Sequence, residues 1–247
     1  MRRVIQHVAG AVAVVVTSSL FVASPALAGA QQYEPLAASV RSALSKSVAD
    51  SRPIVSSFKS PMEAIDWLSQ QSPRLSKKIP DSQYRLDLLR AIHYEATRAG
   101  LDPQMVLGLI QVESGFRKYA VSSAGARGYM QVMPFWIDVI GQGNDNLFDM
   151  RVNLRYGCTI LRHYLDIEKG DLFRALGRYN GSTGKPEYPN LVKGAWQRWE
   201  VAPTQLAYNT TASASPIPTT MPPVTPSLTS SSANKPTTSV NVLSVVR

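Results

Sequence analysis

The chain has 247 residues, 44% of them hydrophobic, with 26 Lys and Arg set against 17 Asp and Glu for a formal charge of +9. A single cysteine excludes an intramolecular disulfide framework, and three histidines without an HExxH pattern or a Cys cluster argue against a metal centre. The positive charge is spread along the chain, so it suits solubility or a polyanionic partner without marking a nucleic-acid surface.

Taken in order, the first 28 residues read as an export leader. Arg2 and Arg3 precede an apolar stretch from Val8 to Val22, and Ala26-Leu27-Ala28 closes it with a small-residue cleavage pattern. The apolar run is short for a membrane span. Export to the periplasm or cell wall is expected, with no stable membrane insertion after cleavage, and no cysteine follows that would carry a lipid. Residues 29–60 are rich in Ser, Ala and Gln and read mainly as a lead-in, in which Leu36, Val40, Leu44 and Val48 outline one short helix between Pro35 and Asp50.

The folded domain is expected over 61–200. Ser60-Pro61-Met62-Glu63 is a capping box with proline at the first helical position, followed by Ile65, Trp67 and Leu68. Pro73 and Pro80 are expected to break the chain before Asp81 caps a longer helix, in which Leu86, Leu89, Ile92 and Ala96 recur at three-to-four spacing and Gly100 is the stop. Asp102-Pro103 starts the next helix. Trp136, Val139 and Ile140 supply another turn or two, and Asn144-Asp145-Asn146 marks a loop. Asp149 caps a run through Val152, Tyr156, Ile160 and Tyr164, Asp171 opens a short helix to about Arg178, and Tyr188 to Trp199 present one apolar face. Strand-type alternation is missing, so the fold class is mainly α with a single domain. Beyond Glu200 the last 47 residues hold seven Pro and seventeen Ser or Thr with only Lys235 and Arg247 charged, too little apolar surface to offset ordering, so 201–247 is expected to be a disordered tail.

Glu113 is the locally unfavourable residue. Met105, Val106, Leu109, Ile110 and Val112 make its helix largely apolar, and Gly115 stops that helix two residues later. The carboxylate therefore sits at the negative end of the helix dipole in apolar surroundings, and both effects raise its pKa. A solvated helix-end Glu explains the position equally well until the flanking residues are weighed. Gly125 and Gly128 bracket Ala126-Arg127, and Met130-Gln131-Val132-Met133-Pro134 follows at once.

ESGF at Glu113, GARGYMQVMP at Gly125 and RYNGS from Arg178 to Ser182 resemble the three signature blocks of the soluble lytic transglycosylase catalytic domain, a lysozyme-like relative of goose-type lysozyme. The resemblance spans roughly Pro61 to Glu200, and the separation of Glu113 from Gln131 matches the family's spacing. Tyr129 stands where the family usually has Leu, and RYNGS replaces the commoner AYNAG; neither change removes a reacting group.

The resemblance implies peptidoglycan glycan strands as substrate, no cofactor, and a single carboxyl as acid and then base. Ordinary glycoside hydrolysis uses two carboxylates about 5 to 9.5 Å apart, and the remaining options, Asp138, Asp145 and Asp149, fall outside the signature blocks. In the family the substrate's 2-acetamido group assists bond cleavage and its 6-hydroxyl closes a 1,6-anhydro ring, which makes Glu113 sufficient. By motif position Ser122 lies near the acetamido group, Met130 and Gln131 line the sugar groove, and Tyr179 and Asn180 shape the site. Tyr188 is the candidate for a further site tyrosine, because the usual position holds Leu191 one helical turn later. A goose-type muramidase and a non-catalytic wall-binding or assembly scaffold are the alternatives. Small size leans toward a local role at a secretion or conjugation apparatus.

Overall fold

The structure is a computed structural model and describes residues 31–50, 53–54 and 56–201; the leader expected over 1–28, and all but the first residue of the tail expected over 201–247, lie outside them. The described residues form eight helices: α1 Ala38–Val48, α2 Pro61–Leu75, α3 Ser82–Arg98, α4 Pro103–Glu113, α5 Phe135–Ile140, α6 Met150–Ile167, α7 Leu172–Asn180 and α8 Glu187–Gln197. The mainly helical class read from the hydrophobic spacing is what forms. Extended pairing among the described residues is limited to two isolated antiparallel bridges, Val121 with Arg127 and Arg127 with Val132. No described helix is long and apolar enough to cross a membrane.

The core is built around α4. Met105 through Ile110 are buried without a break, the pattern of a helix enclosed by its neighbours instead of laid on a surface. Asp102 accepts the Met105 N–H at 2.8 Å, and Pro103 takes a first-turn position where no N–H is needed. Asp81, Asp149 and Asp171 cap α3, α6 and α7 in the same way. α8 and α3 pack on α4, while α6 packs on α1, α3 and α7. The far end of α8 is collected by α2: Gln71 Nε2 donates to the Trp199 carbonyl at 2.8 Å, and the Arg74 guanidinium to the carbonyls of Arg198 and Glu200. Those bonds satisfy carbonyls that a helix end otherwise leaves without partners.

Pro73 does not break α2, which runs on to Leu75. So close to the end, proline removes only the bond its N–H would have made to the Ser69 carbonyl. The fully buried Leu75 holds the last turn on the core. Within the stretch expected as a lead-in, α1 forms and packs on α5 and α6, burying Val48, with Leu36 and Leu44 half-buried against the same core.

α4 and α8 come closest at Gly108. A Cβ there would stand 2.6 Å from the backbone nitrogen of Trp196 and 2.8 Å from its Cα. Backbone cannot swing aside as a flexible side chain can, so the missing side chain sets the separation of the two helices. Gly108→Ala is expected to lower stability by about 1–3 kcal/mol, overriding the ~1 kcal/mol that alanine gains in helix propensity. The measurement is the denaturation midpoint at unchanged m-value; a raised midpoint would show that the contact has room for a methyl group.

Candidate active site

Glu113 ends α4 with its side chain turned into the protein, at 7% exposure. The hydroxyl of Tyr188, in the first turn of α8, donates a hydrogen bond to Glu113 Oε1. Burial pushes the carboxyl pKa up to about 8, against a partial lowering by the Tyr188 bond. The group is therefore protonated at neutral pH, as a general acid must be. Tyr188 is itself raised well above the ordinary tyrosine range, by burial first and then by the Glu113 charge. Leu191, which holds the usual position, is 51% exposed.

The chain after Glu113 folds into the wall beside it. The Ser122 hydroxyl accepts the Ala126 N–H at 3.0 Å and the Ser122 carbonyl accepts the Gly125 N–H at 2.9 Å, which closes the turn. Ser122 is thus held in the loop, and Tyr188 is the residue brought onto Glu113. At Gly128, with φ of +75°, a Cβ would meet Asn153 Nδ2 at 2.4 Å and the Leu147 carbonyl at 2.6 Å, so only glycine fits. Asn153, buried on α6, then ties the wall down. Its Nδ2 donates to the carbonyls of Arg127 and Leu147, and its Oδ1 accepts the Met130 N–H, each at 2.8 Å.

Gln131 has φ of 49°, a left-handed conformation unusual for a side chain of this kind. Its amide makes the turn self-consistent by donating to the Gly128 carbonyl at 3.0 Å and the Ala120 carbonyl at 3.2 Å. Tyr179 on α7 donates its hydroxyl to the Met130 carbonyl at 2.7 Å, and Asn180, buried, is the last residue of the same helix. Burial first, and then the Glu113 charge, hold Tyr179 well above the ordinary tyrosine range.

Met130 departs from its expected place in the groove. It is fully buried, with its thioether against the gap left by Gly157 and its sulfur 3.9 Å from Cys158 Sγ. Its backbone serves the site, and its side chain serves the core. Tyr129 also packs inward, its hydroxyl 2.7 Å from that of Tyr84 on α3, so the exchange of the family's leucine for tyrosine comes with its own polar partner.

Two residues near the site escaped the sequence reading. Asn153 lies on the same helical face as Gly157, Ile160 and Tyr164, and an amide among buried apolar residues was a readable signal. Gln31 gave no such signal, because its partners are about a hundred positions away. Its Nε2 donates to the Gln131 carbonyl at 3.4 Å, and its Oε1 accepts the Met133 N–H at 3.2 Å. The other acids are occupied elsewhere: Asp145 accepts from the Tyr156 hydroxyl and the Gln142 N–H, Asp149 caps α6, and Asp138 is exposed on α5.

Comparison with known proteins matches the stretch of chain that holds Glu113 and Tyr188. Residues 90–198 match the family model described as the Transglycosylase SLT domain. A protein of Enterobacteria phage PRD1 named transglycosylase is 36% identical over 93 residues, covering 38% of this chain and 34% of the relative. The membrane-bound lytic murein transglycosylase C of Haemophilus influenzae (strain PittEE) is 48% identical over 112 residues, covering 39% of this chain and 31% of the relative. That of Actinobacillus pleuropneumoniae serotype 5b (strain L20) is 54% identical over 39 residues, 16% of this chain and 11% of the relative. The chain thus spans about a third or less of the length of these curated relatives.

Removal of the Tyr188 hydroxyl takes away the one bond that lowers the Glu113 pKa. In Tyr188→Phe, the Glu113 side-chain carbon followed by NMR is expected to titrate above the value of about 8; an unchanged or lower midpoint would remove Tyr188 from the control of this acid. Stability gives an independent check. The folded chain keeps the Glu113 proton to about pH 8 while an unfolded chain releases it near 4.5, so stability falls as pH rises between those values. Glu113→Gln abolishes that loss, and the variant is expected to exceed the parent at pH 9 by on the order of a few kcal/mol, with a much smaller difference at pH 4. Parallel stability profiles across that range would mean that the carboxyl is not held protonated.

Proposed function

We propose that the chain, which matches the Transglycosylase SLT domain over residues 90–198, is a peptidoglycan lytic transglycosylase. It cleaves the β-1,4 bond between N-acetylmuramic acid and N-acetylglucosamine and leaves 1,6-anhydromuramic acid ends. The observation that carries this reading is one buried carboxyl, protonated at neutral pH, whose side-chain partner is a tyrosine hydroxyl and not a second carboxylate. A retaining or inverting hydrolase needs a paired carboxylate within reach, and Asp138, Asp145 and Asp149 are exposed, bonded elsewhere or spent on a cap.

The chemistry follows from that solitary acid. Glu113 gives its proton to the glycosidic oxygen as the bond from the muramic C1 to that oxygen breaks, and the acetamido carbonyl oxygen bonds to C1 in its place. The carboxylate left behind keeps the Tyr188 hydrogen bond, which favours the charged form at the moment it exists. It then takes the proton of the muramic 6-hydroxyl as O6 displaces the acetamido oxygen from C1 and closes the anhydro ring. Glu113 ends protonated as it began, with no water consumed.

Around this acid, Ser122 accepts a backbone N–H and so keeps its own hydroxyl proton free to donate toward the acetamido group. Gln131 and Tyr179, each bonded to carbonyls of the loop, and Asn180 would shape the groove. Export by the leader would deliver the enzyme to the periplasm or cell wall, where its polymer lies.

The test is mass spectrometry of soluble fragments released from isolated peptidoglycan by the purified protein and by Glu113→Gln. Anhydromuramic ends from the parent, with release reduced by at least about a thousandfold in the variant, are expected for loss of the sole acid and base. Reducing ends would make the protein a muramidase. Wall binding without release, from folded protein, would make it a binding or scaffold protein.

A further inference from the structure

The residues before α1 form an arm that crosses the wall of the candidate site. Of residues 31–35 only Gln31 is buried, at 3% exposure, while Gln32, Tyr33, Glu34 and Pro35 are exposed. A buried glutamine beside polar, exposed neighbours is not there for packing. Its planar amide spans two backbone groups of the loop, giving a proton to the Gln131 carbonyl at 3.4 Å and accepting one from the Met133 N–H at 3.2 Å. The same amide lies in hydrogen-bonding reach of the Tyr179 hydroxyl, which sits on the Met130 carbonyl.

Two further contacts anchor the arm. Arg178, which also pairs with Glu168, holds Glu34 at 2.6 Å, and the Tyr33 ring meets Phe135 edge-on at 5.8 Å. Leu36 is half-buried where the arm joins the core. Both bonds of the Gln31 amide are long, and Tyr33 is 57% exposed. The attachment is polar and specific, with little apolar burial behind it.

An N-acetyl group on a sugar is also a planar amide with one carbonyl acceptor and one N–H donor. It would use the same backbone pair in the same sense that Gln31 uses: its carbonyl accepting from the Met133 N–H, its N–H donating to the Gln131 carbonyl. We propose that the arm from Gln31 to Leu36 is an intramolecular occupant of the glycan groove, its Gln31 amide competing with a substrate acetamido group for the Gln131 carbonyl and the Met133 N–H. The inference rests on the reading of the site as one that takes N-acetylated glycans. A strand entering the groove must displace the arm, so its apparent affinity is reduced by the fraction of molecules in which the arm is already out. The chemical step, at Glu113, is untouched.

The experiment measures binding of N,N′,N″-triacetylchitotriose by calorimetry, with cellotriose, which lacks the acetamido groups, as the control. It also measures KM and kcat on isolated peptidoglycan. Gln31→Ala in the exported protein is expected to bind triacetylchitotriose about five- to tenfold tighter and to lower KM to a similar extent at constant kcat. Cellotriose should not distinguish the two proteins. Glu34→Gln, which loosens the arm without touching the groove, should shift both quantities in the same direction and guards against a local folding defect in the first variant. Equal affinity and equal KM in parent and variants, with fragments still released, would overturn the arm and leave the activity standing. Weaker sugar binding in Gln31→Ala would overturn it too and make Gln31 a support of the groove. If neither form binds the acetylated sugar nor releases wall fragments, the reading of the site falls, and the arm's role with it.

Discussion

The site depends on the packing of α8 against α4. Glu113 and Tyr188 are 75 positions apart, and their side chains meet because two helices approach to backbone contact at Gly108. The rest of the fold serves that approach. α2 reaches around to hold the carbonyl end of α8 through Gln71 and Arg74, and Trp199 just beyond α8 donates its indole N–H to Gln111 on α4 at 2.8 Å. α8 is thus fixed at both ends: its first turn at the acid, its last turn at the glycine, and the residues just beyond it at α2. A tyrosine hydroxyl can tune a carboxyl only if it cannot drift, since a hydrogen bond weakens steeply with distance and angle.

The opposite side of the groove is held by different means. Its wall from Val121 to Val132 has almost no regular structure, so its backbone groups find partners in side chains. Asn153 supplies two of those bonds from α6, to the Arg127 carbonyl and the Met130 N–H, with a third to the Leu147 carbonyl, and the Gln131 amide bonds the Gly128 carbonyl and that of Ala120 just before the wall. The cost of a left-handed glutamine, on the order of 1 kcal/mol or more, is offset by the bonds its amide makes to the Gly128 and Ala120 carbonyls. The result is an edge on which the Gln131 carbonyl and the Met133 N–H remain open to a partner, and Gln31 takes them.

How much of this could be read from the sequence depended on how local each cause was. The four aspartate caps were legible because an N-cap bonds two or three residues ahead, and all four do so. Glu113 was legible because a carboxylate at the apolar C-terminal end of a helix is at odds with its own surroundings. Tyr188 needed the resemblance to suggest that a tyrosine was wanted, and the helical register to place it one turn before Leu191. Met130 misled because an apolar residue beside a functional glutamine can face either way, and only the gap at Gly157 shows which. Pro73 misled for the opposite reason: its local rule was sound, but tertiary burial of Leu75 extended the helix past it. Gln31 was beyond reach, since nothing within ten residues of it hints at a partner a hundred positions later.

A buried acid at the edge of a core is a liability as well as a tool. Holding Glu113 away from water keeps it protonated near neutral pH, and the same burial makes its ionised form expensive. In the proposed reaction the charge must nevertheless exist for part of each cycle. Tyr188 moderates that conflict: its bond favours the carboxylate without supplying a positive charge, which would pull the resting pKa too low for the group to act as an acid. An arginine or lysine at the same place would bind the carboxylate more strongly and disarm it. A phenol strongly raised by burial keeps its own proton and remains a donor throughout, so the pair can pass between neutral and charged without either partner changing role.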